Sequence, residues 1–384
     1  MARLAEVFFW VALAALFYVY AGYPLLLAML GVLKSRQKAE VGPTPSLSVL
    51  IAAYNEEAGI RKKIEQTLAL DYPAELLEII VLSDGSTDQT ETIVESFRDP
   101  RVRLLRVTGR KGKTNAQNEG VKVARGEVLI FSDATTIYHP LALRYLASNY
   151  RDASVGAVSG RYQYFDTADG SPTGAGTIAF WNYENFIKIR QSRLRTISGC
   201  CGCIYSVRRS LYTDLSPDVI SDLVQPLHVI RQGYRVVFED RALAYEETTH
   251  TTSEEFRMRV RVVTRGIGGL LSVPNLLTPW KFPWVCFQLW SHKVLRWLVP
   301  FFLLVLFGSD LLVAAYPGYR LFLVAQLAFY FMAILSSIIP IHKRWKPLGI
   351  PLYFCTLNAA ALVSVIEVIR GKKYTVWQTV RTQS

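Results

Sequence analysis

Four long apolar runs, one before and three after a more polar middle section, constrain this chain more than any other feature. They lie at residues 7–33, 297–315, 321–341 and 348–369. About 20 apolar residues cross the hydrocarbon core of a bilayer, so each run is long enough to span it. The first run is too long for a secretory signal peptide and lacks a clear small-residue cleavage site. The sequence therefore predicts a multi-pass membrane protein.

The Lys and Arg residues beside these runs predict that the middle of the chain faces the cytosol, where basic flanks accumulate. The flanking residues are Lys34, Arg36 and Lys38 after the first run, and Lys281, Lys293 and Arg296 before the second. The basic tail at residues 370–373 does not fit this prediction. Three C-terminal spans would place the tail on the side of the membrane opposite to the cytosol, although its charge favours the cytosolic side. Either one run does not cross the membrane or the charge rule fails here, and the sequence leaves both open.

The formal net charge of +12 concerns the partners of the chain rather than its fold. An excess of basic residues suits contact with anionic lipids and with a substrate that carries phosphate. No recognisable nucleic-acid-binding module accompanies the charge, so nucleic acid is not an expected partner. Membrane lipids and a phosphorylated ligand are the partners that the composition favours.

The middle section alternates short apolar runs with helical patterns. The predicted strands are residues 47–53, 77–83, 102–107 and 127–132, and the predicted helices are residues 57–70, 88–97 and 114–124. The first run is apolar except for Ser48, as expected of a strand that is buried on both faces. Strands separated by helices indicate an α/β domain with a mostly parallel sheet and right-handed crossovers.

Two of the predicted strands lead directly into an aspartate, Asp84 in SDGSTD and Asp133 in FSDATT. Ligands of open α/β sheets bind beyond the carboxyl ends of the strands, so the two carboxylates are expected to face one ligand. A carboxylate after the second strand suits a ribose hydroxyl or a base edge. Simple turn and cap chemistry in Asp-Gly-Ser is the alternative for Asp84, and it remains open.

The segment GRKGKT at residues 109–114 invites comparison with a phosphate-binding P-loop. The P-loop pattern needs a second glycine five positions before Gly112, but that position is Val107. The pattern therefore fails. Lys113 remains a candidate point charge beside a diphosphate, and an exposed lysine at a helix start is the alternative.

The order of these motifs carries a resemblance to a known family. The chain contains AAYNEE, SDGSTD, GKTNAQN, FSDATT and SGCCGCIYSVRR, followed by Ser221-Asp222 and an arginine-rich helix. In this it resembles the membrane-embedded family 2 glycosyltransferases, which include cellulose, hyaluronan and poly-N-acetylglucosamine synthases and smaller bacterial polysaccharide enzymes. The resemblance implies a Rossmann-like α/β catalytic domain of the GT-A type with a mostly parallel sheet, flanked by N- and C-terminal transmembrane helices.

The resemblance also implies a division of the chain. The expected parts are an N-terminal transmembrane helix at 1–36, a cytosolic GT-A domain at 46–250, interfacial amphipathic helices at 251–292, transmembrane helices at 293–370 and a tail at 371–384.

The resemblance further assigns roles on the donor side. The residues implied to bind the nucleotide sugar are Ala53, Tyr54, Glu56, Asp84, Lys113 and Arg261. Asp133 matches the first aspartate of the DxD motif, which holds Mg²⁺ or Mn²⁺ against the diphosphate. The second aspartate is replaced by Thr135. A hydroxyl is a poorer ligand than a carboxylate for a hard cation, so metal binding is expected to depend more on substrate phosphates and water.

On the acceptor side, Asp222 matches the aspartate of the TED motif, which acts as the general base, and Ser221 replaces the glutamate. Gly199 and Gly202 match a small-residue loop that lines the acceptor pocket. A plain tight turn is the alternative for the two glycines. A helix N-cap is the alternative role for Asp222, and one residue can be both the N-cap and the general base.

Residues 254–268 have the pattern of an amphipathic helix with Arg257, Arg261 and Arg265 in one stripe. Like charges at this spacing repel by roughly 0.2–0.5 kcal/mol per pair, so either a phosphate partner or a membrane surface is expected beside them. The helix matches the place of the family's QxxRW motif. Only Arg261 of that motif is present, which counts against processive synthesis.

The expected activity is transfer of a sugar from a UDP- or GDP-sugar to a lipid-linked or growing glycan, with inversion at the anomeric carbon. The enzyme would be metal-dependent and held in the cytoplasmic membrane, with its catalytic domain in the cytosol. A processive polysaccharide synthase that secretes its polymer is the alternative. A catalytically silent glycan- or nucleotide-binding membrane subunit is a third hypothesis.

Overall fold

The computed structural model describes residues 2–32, 44–165, 172–247, 251–339 and 349–376. Among these residues, eight strands form one sheet in the middle of the chain. They are β1 Leu47–Ala53, β2 Leu77–Ser83, β3 Val102–Arg106, β4 Val128–Asp133, β5 Ile137–Tyr138, β6 Val155–Phe165, β7 Ile204–Arg208 and β8 Arg235–Glu247. The basic residues Lys34, Arg36 and Lys38 lie outside the described residues, as do those at 342–346.

Helices precede, connect and follow the strands. They are α1 Ala2–Phe17, α2 Tyr23–Val32, α3 Ile60–Leu68, α4 Thr90–Glu95, α5 Lys113–Val123, α6 Ala142–Ser148, α7 Pro172–Leu194, α8 Ser221–Arg231, α9 Thr252–Leu271, α10 Pro283–Leu289, α11 Leu295–Val313, α12 Pro317–Ile338 and α13 Gly349–Ile369. Two π-helical turns, Tyr18–Gly22 and Trp290–Val294, join α1 to α2 and α10 to α11.

The first half of the sheet agrees with the pattern read from the sequence. The strand order is β3-β2-β1-β4-β7-β6-β8-β5, and the four predicted strands pair in parallel. All seven residues of β1 are buried, as its apolar run predicted. Ala53 pairs with Ser83, and Ala52 pairs with Asp133. Asp84 and Asp133 therefore leave the same edge of the sheet.

The second half of the sheet was not predicted. β7 is antiparallel to both β4 and β6, and β6 pairs in parallel with β8 through two register shifts. Glycines interrupt the strand pattern of β6, where the backbone lies very close to its neighbours. A Cβ at Gly156 would lie 2.6 Å from Val229, and one at Gly160 would lie 2.7 Å from the carbonyl oxygen of Ala242. Glycine within a strand marks such close approaches and weakens the sequence signal.

Within the described residues, four helical segments are long and apolar enough to cross a membrane, judged by length and composition. They are Ala2–Gly31, Pro283–Val313, Pro317–Ile338 and Gly349–Ile369. Phe9 of α1 packs with Leu306 of α11 and edge-on against Tyr319 of α12, so these three helices form a bundle. The predicted boundary at 292/293 falls inside the continuous segment Pro283–Val313.

The last apolar helix, α13, is hydrogen-bonded to α9 at two positions. The hydroxyl of Tyr353 donates to Glu255, and that of Ser364 donates to the carbonyl oxygen of Val260, so α13 runs beside α9. Beyond its end, Lys373 forms an ion pair with Asp218 at 2.9 Å. The basic tail thus lies on the side of the catalytic domain. We therefore expect three apolar segments to cross the membrane, with α13 lying along α9.

This topology can be tested by labelling single introduced cysteines with a membrane-impermeant maleimide. Lys372→Cys should react from the same side as Arg98→Cys in the catalytic domain, and Gly318→Cys between α11 and α12 should react only from the opposite side. The unmodified chain is the background control, because four of its five free cysteines are buried. Labelling of Lys372→Cys together with Gly318→Cys would contradict the arrangement.

Candidate active site

The loops that follow β1 and β2 are held together by their own side chains. Asn55 adopts a positive φ of 52°, and its side-chain oxygen accepts from the backbone N–H of Thr87 at 2.8 Å. The backbone N–H of Asn55 donates to Ser86, and that of Glu57 donates to Asp88. These polar pairs order the loop at residues 54–57 beside the cavity described below.

Asp84 is fully buried behind the loop at residues 109–113. Its carboxylate accepts from the backbone N–H groups of Lys111 at 3.0 Å and Gly112 at 2.8 Å. Burial raises the pKa of Asp84, and these N–H donors and Arg110 only partly offset the increase. Gly112 has a φ of +97°, which favours glycine. In this structure Asp84 therefore positions the loop.

A cavity of about 1140 Å³ opens at the carboxyl edge of the sheet and continues between α7, α9 and α11. This exceeds the roughly 300–1,000 Å³ of a typical small-molecule site, so it has room for more than one ligand. Seven of the predicted site residues line it: Glu56, Lys113, Asp133, Gly199, Gly202, Asp222 and Arg261. The other three, Ala53, Tyr54 and Asp84, are not part of that lining. The ring of Tyr54 packs under the guanidinium of Arg110 at 3.8 Å.

Lys113 joins the two halves of the cavity. Its ammonium group forms an ion pair with Asp133 and donates to the carbonyl oxygen of Gly202 at 3.2 Å. Gly202 in turn lies against Asp222, because a Cβ at residue 202 would be only 2.7 Å from Oδ2 of Asp222. Glycine is therefore required at this position for the carboxylate of Asp222 to occupy its place.

Nearby positive charges partly offset the effect of burial on the pKa of Asp222. Burial raises the pKa of Asp222, and the nearby cations Lys113, Lys188 and Lys293 lower it without cancelling the increase. The Oδ1 atom of Asp222 has no hydrogen-bond partner among the described residues. Burial likewise lowers the pKa of Lys113, but Asp133 and Asp222 raise it above its usual range. The ammonium group of Lys113 therefore remains charged inside the cavity.

A second carboxylate stands near Asp133, although the sequence lacks the second aspartate of DxD. Thr135 donates its hydroxyl to Glu246 of β8 at 3.1 Å, and Tyr162 donates to the other oxygen of Glu246 at 2.7 Å. The described residues contain no cluster of three His, Cys, Asp or Glu side chains that would hold a metal alone. Asp133 and Glu246 are hard oxygen ligands that fit a divalent cation completed by phosphate and water.

The arginines of α9 have different surroundings, although the sequence placed three of them in one stripe. Arg265 is buried and donates to the hydroxyl of Thr114 at 2.9 Å and to the carbonyl oxygen of Pro217 at 3.2 Å. It therefore anchors α9 to the catalytic domain. Arg261 is half-buried and lines the cavity. Arg259, outside the stripe, pairs with Glu255 and was not recognised from the sequence.

A buried polar network at the membrane-facing end of the cavity was also missed. Glu184 of α7 pairs with Arg296 and lies 3.2 Å from His292. Gln191 donates to the hydroxyl of Tyr23 and contacts the other ring nitrogen of His292. Burial raises the pKa of Glu184, but the neighbouring cations bring it well below its usual range, so this carboxylate is ionised.

Lys293 and Arg296 do more than precede the second apolar run. Both line the cavity. Arg296 is held there by Glu184 of α7, which is distant in sequence, so charge counting beside an apolar run could not reveal this. Charged residues within the aromatic stretch of α7, Glu184 and Lys188, were the available signal.

The chain is similar to several known proteins. The model of the family "Glycosyl transferase family 2" matches residues 48–216. A "Probable glycosyltransferase YdaM" of Bacillus subtilis is 30% identical over 230 residues, which are 56% of this chain and 54% of that protein. The poly-beta-1,6-N-acetyl-D-glucosamine synthase of Staphylococcus epidermidis is 28% identical over 58% of this chain and 55% of its own. The chain spans about half the length of the curated relatives it matches.

Among solved structures, the mannosyltransferase PcManGT of Pyrobaculum calidifontis, in complex with GDP-Man and Mn²⁺, has a TM-score of 0.72. It is 20% identical, and the alignment covers 95% of this chain and 99% of that chain. At this identity the likeness shows the fold. The expectation of a GT-A fold, with a mostly parallel sheet and apolar helices at both ends of the chain, is confirmed.

The positioning role of Asp84 can be tested by hydrogen exchange. Asp84→Ala should speed exchange of the amides of Lys111 and Gly112 by about tenfold or more, because each hydrogen bond to a charged group contributes on the order of 1.5 kcal/mol or more. Asp84→Asn should give an intermediate rate. Asp88→Ala is the matched control, because it removes the carboxylate that accepts a hydrogen bond from the backbone N–H of Glu57. It should leave the exchange rates of the Lys111 and Gly112 amides unchanged. Unchanged exchange in Asp84→Ala would contradict the role.

Proposed function

We propose that the chain, whose residues 48–216 match the family 2 glycosyltransferase model, is a glycosyltransferase that transfers a sugar with inversion from a nucleotide-diphosphate sugar to a glycan or lipid-linked acceptor. The observation that carries this proposal is the connected arrangement of Asp133, Lys113, Gly202 and Asp222 across one cavity. Asp133 and Lys113 lie where a diphosphate would be bound. Asp222 lies on the acceptor side.

The proposed reaction is a single displacement. An acceptor hydroxyl attacks the anomeric carbon and gives its proton to Asp222 as general base. A bond forms between the acceptor oxygen and the anomeric carbon, while the bond from that carbon to the diphosphate breaks. Lys113 stabilises the charge that develops on the leaving diphosphate. Attack opposite to the leaving group inverts the anomeric configuration.

Recognition of the nucleotide is assigned to the loops beside the sheet. Ala53, Tyr54, Glu56 and Asp84 belong to the two loop regions that would surround the nucleoside, with Asp84 acting through the loop at residues 109–113. Arg261 faces the cavity from α9 and suits a phosphate contact. The related mannosyltransferase structure contains GDP-Man, and a UDP-sugar is the second donor class for this chain.

Asp133 and Glu246 would hold the divalent cation, Mg²⁺ or Mn²⁺. When bound, the cation neutralises part of the negative charge of the diphosphate. The hydroxyl of Thr135 donates a hydrogen bond to Glu246 and orients this carboxylate. Glu246 would thus supply the oxygen ligand that the second aspartate of DxD would otherwise provide. The solved mannosyltransferase contains Mn²⁺, which supports the use of a divalent metal.

Gly199 and Gly202 are assigned to the acceptor side because both line the cavity beside Asp222.

The catalytic domain is proposed to face the cytosol from the cytoplasmic membrane, where nucleotide sugars are available. A processive synthase is a second candidate, supported by the similarity to a poly-beta-1,6-N-acetyl-D-glucosamine synthase. The absence of the Gln and Trp of QxxRW favours addition of one or few sugars. The length of the product made by the lipid-reconstituted enzyme distinguishes a processive synthase from a transferase that adds one or few sugars.

The general-base assignment predicts the behaviour of Asp222→Asn. This variant should lose about 10²–10⁴-fold in kcat, because an amide cannot take the proton of the acceptor. Its Kd for the nucleoside diphosphate should stay unchanged, since Asp222 lies on the acceptor side. Asp218→Asn, which removes a nearby carboxylate bound to Lys373, is the matched control and should retain its kcat. Full turnover by Asp222→Asn, or equal loss in both variants, would refute the assignment.

The metal assignment predicts that Asp133→Asn and Glu246→Gln each weaken Mn²⁺ binding by about tenfold or more, measured from the EPR signal of free Mn²⁺ in the presence of nucleoside diphosphate. Thr135→Asp should retain or strengthen binding because it restores a carboxylate. Glu119→Gln, at an exposed carboxylate on α5, is the control. Unchanged binding in Glu246→Gln would exclude this residue as a ligand, and full activity in EDTA would exclude a metal requirement.

A further inference from the structure

The membrane-facing end of the cavity contains three basic side chains that the displacement reaction does not use. Lys188 lies on α7, Lys293 in the π-helical turn before α11, and Arg296 in the first turn of α11, and all three line the cavity. We refer to these three residues as the basic cluster. Lys293 and Arg296 are neighbours on one helical segment, and the fold brings Lys188, which is distant in sequence, to the same cavity.

The contacts of the basic cluster do not balance its charge. Arg296 pairs with Glu184, and Lys188 donates to the thiol of Cys201 at 3.2 Å. Lys293 has no hydrogen-bond or ion-pair partner among the described residues. One carboxylate, Glu184, thus makes direct contact with the cluster against three cations. Asp222 faces the cluster from the catalytic side of the cavity and provides only partial compensation.

Uncompensated positive charge in a partly dehydrated cavity is unfavourable unless a negative ligand binds there. A phosphate or diphosphate carries charge of the required sign and offers several acceptor oxygens to two ammonium groups and a guanidinium. A neutral glycan would leave the charge of Lys293 unpaired. The charge of the basic cluster therefore points to an anionic group rather than to sugar hydroxyls.

The position of the cluster indicates which molecule brings this group. Lys188 and Lys293 are close enough to Asp222 for their charges to affect its carboxyl group. The same cavity is also lined by apolar side chains, Tyr20 of the first apolar segment, Trp297 of α11, and Leu357 and Ala361 of α13, which form an apolar wall. The basic cluster thus shares one cavity with the catalytic carboxylate and with an apolar wall of side chains from three apolar segments.

We propose that the acceptor is a sugar joined through a phosphate or diphosphate to a lipid, and that Lys188, Lys293 and Arg296 bind this phosphate. The proposal rests on the function proposed above and narrows its acceptor class. The lipid chain lies along the apolar wall, the phosphate occupies the basic cluster, and a hydroxyl of the attached sugar reaches Asp222. The phosphate is an anchor and not the nucleophile, because an ionised phosphate oxygen would need no general base.

Binding of simple probes to the purified full-length protein tests this site without requiring turnover. The probes are hexadecyl phosphate, hexadecanol and inorganic phosphate, titrated in a neutral detergent. Hexadecyl phosphate should bind at least about tenfold more tightly than either of the others, because it alone offers both the charge and the chain. Lys293→Gln should weaken this binding by about tenfold or more, since it removes a charge-assisted contact, and Lys293→Arg should restore most of it.

Lys281→Gln is the matched control, because it removes an exposed positive charge outside the cavity lining and should leave the affinity unchanged. Equal weakening in Lys281→Gln would show a general surface effect and overturn the proposal. Tight binding of inorganic phosphate alone would overturn the lipid assignment in favour of a soluble phosphate. Unchanged affinity in both Lys293→Gln and Arg296→Gln would exclude the site.

The outcome can be separated from the test of the catalytic proposal. Nucleoside diphosphate binding and the melting temperature of each variant report whether the fold and donor site are intact. Loss of hexadecyl phosphate binding with both retained supports the anchor site, whatever the effect of Asp222→Asn on kcat. If Asp222→Asn abolishes transfer while Lys293→Gln binds hexadecyl phosphate normally, the transferase assignment stands and the phosphate anchor fails.

Discussion

Parallel pairing of β1 with β2 and β4 is the constraint on which the site depends. Because Ala53 pairs with Ser83 and Ala52 with Asp133, the loops that follow these strands must leave the same edge of the sheet. Backbone hydrogen bonds and burial on both faces hold this register, since a shift of one residue would turn each side chain to the other face. The polar loops therefore do not need a ligand to come together.

Lys113 converts this shared edge into one site. It connects Asp133, from the parallel half of the sheet, with the Gly202 loop that precedes β7 in the other half. Gly202 permits Asp222 to approach from α8, so the proposed donor and acceptor sides are coupled through a few direct contacts. A displacement of any of these groups would alter the geometry of the others, and well-oriented reactants are a large part of catalytic rate.

The membrane segments form part of the same site. Glu184 on α7 contacts His292 and Arg296 at the start of the second apolar segment, and Gln191 connects His292 to Tyr23 of the first. A buried network of this kind is favourable only when its members remain paired, because an isolated buried charge is costly. It therefore fixes the membrane helices relative to the catalytic domain and places the proposed phosphate site next to Asp222.

The sequence alone predicted β1 to β4 and the apolar segments, because these features depend on local patterns, and the rule that parallel strands end at one edge brought Asp84 and Asp133 together. The resemblance to family 2 glycosyltransferases supplied most of the ten candidate residues, of which seven line the cavity. The sequence could not predict β5 to β8, whose glycines and register shifts obscure the strand pattern. Nor could it predict that Asp84 holds a loop, that Glu246 meets Thr135, or that Lys293 and Arg296 face the cavity. These contacts join residues far apart in the chain, and only the packing of α7, α9 and β8 around the sheet brings them together.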